Sequence, residues 1–240
     1  MTLSAPIAPL AEPVPAGATR THARVAGLLY LVTFVSSIPA LLLLGPVLDR
    51  ADYVLGAGAD TRVRWGCFLD LVNAGACVGT AVALFPVLRR HGEARALGFV
   101  ASRMFEAAVI VVGVVSLLAV VTLHRDAAGA TGAEATSLVT TGQALVAVRD
   151  WTFLIGPSFM AAINALLLGS LVYGARLVPR WIPTLGLVGA PLLLAASTAA
   201  FFGFIEQVSA PAAVATLPVA AWELAVGIWM VAKGFRATPA

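Results

Sequence analysis

Charge is scarce in this chain. Lys and Arg together number 15 and Asp and Glu 12 among 240 residues, 11% in all, against about 25% in soluble domains. A surface that poor in charge cannot hold a globular protein in water. The 60% of hydrophobic residues and a mean hydropathy of +0.95 place the chain in a bilayer instead.

Cysteine is equally sparse. Cys67 and Cys77 are the two present, and on one helix, at about 1.5 Å per residue, they stand too far apart to bridge, so no disulfide framework is expected. His22, His91 and His124 are isolated at span ends or loops; without H-E-x-x-H or paired-cysteine spacing, no metal site is expected. The chain also lacks a G-x-S-x-G elbow, a Walker motif and a dinucleotide fingerprint. "GAGAD" from Gly56 follows no strand and reads as a turn. No catalytic residue and no cofactor are assigned, and the expectation is a protein that is not an enzyme. The pI of 9.3 does not indicate nucleic acid, because the basic residues stand singly at the ends of apolar runs rather than in a stripe with aromatics.

What is present is a series of long apolar runs. Crossing roughly 30 Å of hydrocarbon takes about 20 helical residues, since backbone polar groups in lipid must be satisfied within the segment. Six runs qualify, at about Val25–Leu44, Gly66–Leu88, Leu97–Leu123, Trp151–Tyr173, Ile182–Ile205 and Ala212–Ala232. The fold class is thus all-α, a polytopic transmembrane bundle over residues 22–240. Met1 to Thr21, rich in Ala and Pro, reads as a disordered cytoplasmic tail. The first run is longer than the roughly 7 to 15 apolar residues of a signal peptide, so it is expected to remain as a span. The connection Arg125 to Val148 is expected to be either a flexible loop or, from Glu134 on, a short helix lying on the outer surface.

An even number of spans puts both termini on one side. That side carries Arg20, Arg24, Arg89, Arg90, Arg95, Arg176, Arg180, Lys233 and Arg236, against Arg50, Arg62, Arg64, Arg125 and Arg149 on the other. The excess predicts cytoplasmic termini, with the chain in a cell inner membrane or a plasma membrane.

Four ionisable residues fall inside the apolar runs: Asp70, Arg103, Glu106 and Glu223. Each at the bilayer centre costs about 2.5 to 3.5 kcal/mol on insertion scales, so each needs a protein or water partner. Counted at about 1.5 Å per residue from the cytoplasmic end, Glu106 lies about 13 Å deep, Asn164 about 14 Å and Glu223 about 15 Å. Arg103, three positions before Glu106, shares its helix face. These four residues form the expected polar layer near the midplane. One arginine cannot neutralise two buried carboxylates, so a proton or a bound cation is expected with them. Asp70 lies nearer the outer end, where Arg149 is its expected partner, with Asn73 and Asp150 as further polar residues of that region. The alternative is that these groups only lock helices together by interhelical hydrogen bonds worth about 0.6 to 2 kcal/mol each.

Three self-similarities recur at nearly one offset: Pro39 with Pro157, "LDLVNA" from Leu69 with "LGLVGA" from Leu185, and "FEAAV" from Phe105 with "WELAV" from Trp222. They raise the prospect of an inverted 3+3 repeat, the arrangement that places transporter sites at the repeat interface. Pro39, Pro157, Pro191 and Pro218 fall within spans, where each removes a backbone hydrogen bond and permits a kink. Gly75 and Gly79 make a G-x-x-x-G that can pack a helix of this chain or of a second copy, leaving a homo-oligomer open.

Taken together, "ARVAGLLYLVTF", "LVNAGACVGTAVALFPVLRRHGEARALGFVASRMFEAAV", "FLIGPSFMAAINALLLGSLVYGARLVPRWIPTLGL" and "WELAVGIWMVAKGF" resemble the bacterial integral-membrane family called domain of unknown function 4386. The resemblance runs in order from about Arg24 to Phe235. Its most specific parts are Arg103 with Glu106, the Gly169 to Pro183 turn with Tyr173, Arg176 and Pro179, and the final Trp222, Glu223, Lys233 and Gly234. Where the family carries a His in the fourth span this chain has Asn164, so a role that needs imidazole there is not carried over. The resemblance implies a multi-span membrane protein with no assigned reaction. The functional expectation is therefore binding or transport of a small solute, ion or proton at the midplane layer, and the alternative is a structural or accessory membrane protein.

Overall fold

The computed structural model describes residues 16–236 apart from Ala57. Every regular element among them is helical: α1 Ala16–Leu48, α2 Asp60–Leu88, α3 Glu93–Asp126, α4 Gly132–Phe153, α5 Ala161–Gly174, α6 Trp181–Phe201 and α7 Ala210–Ala232, with a π-helical segment Leu154–Met160 between α4 and α5. Six stretches are long and apolar enough to cross a membrane: Thr19–Leu48, Asp60–His91, Glu93–Asp126, Gly132–Gly174, Trp181–Phe201 and Ala210–Ala232.

The expected spans are all present, with corrections at their ends. Met1 to Pro15, most of the expected tail, lies outside the described residues, but Ala16 to Thr21 already belong to α1. The fifth span stops at Phe201 rather than Ile205, where Gly203 at φ +75° turns the chain. The largest difference is in the fourth span. The segment from Gly132 is neither a loop nor a separate surface helix: it runs without a break into the π-helical segment and α5. Its Leu138, Leu145 and Val146 pack on the second core, and the Ser116 hydroxyl of α3 donates to the Leu145 carbonyl. Docking on α3 thus holds as helix a stretch whose Gly and Thr content favours neither state.

Large apolar side chains point outward on every side of the bundle, among them Val35, Leu42, Val82, Val115 and Val188. Helices apolar all round are what lipid selects. Inside, the core falls into two clusters. One, toward the face that carries both chain ends, contains Tyr30, Leu84, Phe99, Leu168 and Trp222. The other, toward the opposite face, contains Leu44, Tyr53, Cys67, Ile110 and Leu117. The clusters meet between Phe99 and Ala107 on α3 and between Cys77 and Ala81 on α2, which is where the buried charges lie.

Close helix approach at the terminal face depends on glycine. A methyl group on Gly27 of α1 would stand 2.7 Å from the Gly227 carbonyl oxygen of α7. From this tight crossing the two helices run toward the opposite face with Ile38, Leu41 and Leu217 exposed.

Of the self-similar pairs, Glu106 and Glu223 do end on the same arginine. Pro39 and Pro157 differ, one inside a continuous α-helix and the other in a π-helical segment. The fold does not show the internal repeat.

Candidate functional site

The four midplane residues come together. Arg103 Nη1 donates to Glu106 Oε2 at 2.9 Å and Nη2 to Glu223 Oε1 at 3.4 Å, while Asn164 Nδ2 donates to the same Glu106 oxygen at 2.7 Å. The arginine does not snorkel. It is 2% exposed, with its guanidinium 4.9 Å from the centre of the Tyr30 ring and 5.8 Å from that of Phe99. Stacking on aromatic faces and a charge-assisted pair are the two ways such a group is held out of water.

The three charged groups are not equally enclosed. The side chains of Arg103 and Glu106 are 3% and 6% exposed, that of Glu223 17%. Among the described residues Arg103 Nε and Asn164 Oδ1 are buried without a hydrogen-bond partner, and such groups are rare enough to call for a partner. The layer therefore has one positive and two negative side chains, an idle donor and an idle acceptor. Chemically it can take up a proton or a cation, or hydrogen-bond a small polar solute. Sequence did not single out Tyr30 or Cys77, whose thiol lies 3.5 Å from Arg103 Nη1.

The second polar group also assembles, in part. Arg149 Nη2 is 3.8 Å from Asp70 Oδ2, and the Arg149 guanidinium sits 4.7 Å over the Phe153 ring. Gly113 makes this possible, because a methyl group there would stand 2.9 Å from Arg149 Cδ. Asn73 is buried beside them, whereas Asp150 is exposed and makes no ion pair with either group among the described residues. On α1, the Ser36 hydroxyl bonds back to its own helix at the Val32 carbonyl. Ser37 faces a cleft of about 240 Å³ that Asp70, Asn73 and Arg149 also line.

A third network, not anticipated from sequence, closes the face opposite the chain ends. Asp60 accepts from the Tyr53 hydroxyl at 3.0 Å and stands 2.9 Å from His124 Nδ1, and His124 Nε2 lies 3.0 Å from the Gly56 carbonyl. Burial, and then the bond to Asp60, push the Tyr53 phenol above its ordinary titration range. Among the described residues no group of three or more His, Cys, Asp or Glu is placed to hold a metal ion.

Comparison with known proteins gives one match. No curated protein and no solved structure matches the chain. A family model described as "Domain of unknown function (DUF4386)" covers residues 25–234, which takes in all six spans and both polar groups. The chain is therefore a multi-span membrane protein that belongs to this family of unknown function.

Proposed function

We propose that this protein binds, and carries across the membrane, a small solute, ion or proton at the layer formed by Arg103, Glu106, Asn164 and Glu223. The observation that supports it most is the charge count of that layer: one guanidinium is shared by two carboxylates from α3 and α7, 2.9 and 3.4 Å away. Such a group completes its balance with a proton or a cation, and a group that exchanges one has a means of coupling. Glu223, the most exposed of the trio, is the member that exchanges. The Lys/Arg excess on the terminal side supports a topology with both termini cytoplasmic, in a cell inner membrane or plasma membrane. Binding rather than catalysis is the reading, because the sequence carries no recognised catalytic motif beside the charges.

The test is Glu223→Gln in reconstituted vesicles, followed by a pH-sensitive dye across roughly pH 5 to 9, the range through which a buried carboxylate can be shifted. Loss of pH-dependent flux in the variant supports the proposal; flux identical to that of the parent removes it.

One observation favours a second reading. Arg103 lies between Tyr30 and Phe99 with almost no exposure, as a purely structural lock would. That reading predicts that replacing Arg103, Glu106 and Glu223 together by apolar residues of similar volume leaves the protein folded and its cellular role intact, as some buried ion pairs allow.

A further inference from the structure

The cleft in the other half of the bundle carries a site of its own. It is lined by α1, α2, α3, α4 with the π-helical segment, and α7, and holds about 240 Å³. That is below the roughly 300 to 1,000 Å³ of drug-sized pockets and fits a molecule the size of an amino acid. Its polar lining is Asp70, Asn73, Arg149, Ser37, Thr152 and Thr216, against apolar Ile110, Phe153 and Pro157.

The three most buried of these polar groups make no hydrogen bond among the described residues, although Arg149 faces Asp70 and stacks on Phe153. Asp70 and Arg149 are 8% and 7% exposed, yet their nearest atoms are 3.8 Å apart, beyond hydrogen-bond reach. Asn73 is 8% exposed, and its amide makes no hydrogen bond among the described residues. Ser37 makes none either. Polar groups this enclosed almost always find a partner, and the cleft is the side on which these remain open to one.

The charges restrict what that partner is. Within the cleft lining Asp70 and Arg149 cancel, the nearby Asp150 being exposed and outside that lining, so a ligand of one sign would leave either the carboxylate or the guanidinium uncompensated in a low-dielectric site, which is costly. A net-neutral molecule carrying both signs compensates both. We infer that this cleft binds a small zwitterion, its ammonium on Asp70 and its carboxylate or phosphate on Arg149, with Asn73 hydrogen-bonding between them and the apolar wall taking a short hydrocarbon part. The shared chemistry occurs in free amino acids and in the phosphoethanolamine headgroup of a lipid. The mouth is compatible with both, since Ile38 and Leu41 of α1 and Thr216 of α7 are exposed where those helices have left their Gly27–Gly227 crossing. This site is separate from the midplane layer and stands or falls without it.

The test uses the full chain in nanodiscs of phosphatidylglycerol, with calorimetric binding of leucine, glycerophosphoethanolamine, 3-methylbutylamine and 4-methylpentanoate. The last two are leucine without its carboxylate and without its ammonium. At least one zwitterion is expected to bind at least tenfold tighter than both singly charged analogues, and Asp70→Asn and Arg149→Gln each to weaken it at least tenfold. Thr216→Trp, at an exposed position that leaves the core untouched, is expected to block the mouth while thermal unfolding stays as in the parent. A parallel set of discs containing phosphatidylethanolamine separates the sources: competition with the soluble zwitterion, with the lipid retained in native mass spectra, assigns the headgroup, and no competition assigns the free solute. Equal binding of the singly charged analogues, no zwitterion binding at millimolar concentration, or unaltered zwitterion binding by Thr216→Trp overturns the inference.

Discussion

Arg103 and Glu223 are 120 positions apart in the chain and meet at 3.4 Å inside it. The same guanidinium reaches Glu106 on its own helix at 2.9 Å, so α7 is tied to α3 through a charge that α3 has already half compensated.

That ranking predicts unequal costs. Glu106 serves both Arg103 and Asn164, so Glu106→Leu strands two donors; Glu223→Leu leaves Arg103 its shorter partner. Breaking a buried pair costs about 3 to 5 kcal/mol, and Glu106→Leu is expected in that range with Glu223→Leu clearly below it. Unfolding in mixed micelles followed by tryptophan fluorescence gives the order, and the reverse order would show that Glu223 is the principal counter-ion.

Asn164 contributes one hydrogen bond to this layer, at 2.7 Å to Glu106. Asn164→Ala is expected to cost about 0.6 to 2 kcal/mol, the range of interhelical bonds in membranes. A cost near zero in the same unfolding assay would mean that the amide is not a working part of the cluster.

The α1–α7 crossing leaves no room for a side chain at Gly27, where an added methyl group meets the Gly227 oxygen at 2.7 Å and the Met230 Cβ at 2.9 Å. Gly27→Leu should therefore separate the helices and cost at least about 1 to 3 kcal/mol, as overpacking does. By contrast Gly75, where nothing lies within 4 Å, should accept Ala with no loss. Thermal midpoints of the two variants compare them directly, and equal midpoints would refute the tight crossing.

Outside the spans, the Tyr53 phenol is held in its protonated form by burial and by its bond to Asp60. A folded-state value raised above the unfolded one, about 10 for Tyr, gives stability that is complete below that pH and is lost as pH climbs beyond it. Difference spectra between the parent and Tyr53→Phe at 295 nm should show no phenolate from this residue at pH 10. Half-ionisation of Tyr53 there would contradict the burial.

Much of this arrangement could be read from the chain because helix rise is fixed. Residues at one depth on neighbouring spans must come close, and the depths of Glu106, Asn164 and Glu223 brought out the midplane layer as the Asp70 and Arg149 positions brought out the second pair. Depth says nothing about rotation, so it does not show that Arg149 is buried while the adjacent Asp150 is exposed. The fusion of Gly132–Phe153 with the fourth span was hidden as well. Its helical state depends on packing of Leu138 and Leu145 against α3 and the Tyr53–Leu55 turn, not on local preference. The cleft was least legible of all, since its volume follows from where α1 and α7 cross, and that is set by two glycines far from its walls.

The central claim is that Arg103, Glu106 and Glu223 act as one buried charge cluster, and a double-mutant cycle on unfolding free energy tests it most directly. For Arg103→Met and Glu223→Leu, singly and together, the expected coupling is about 0.5 to 3 kcal/mol, as for groups in one network. Additive losses, with coupling indistinguishable from zero, would contradict it.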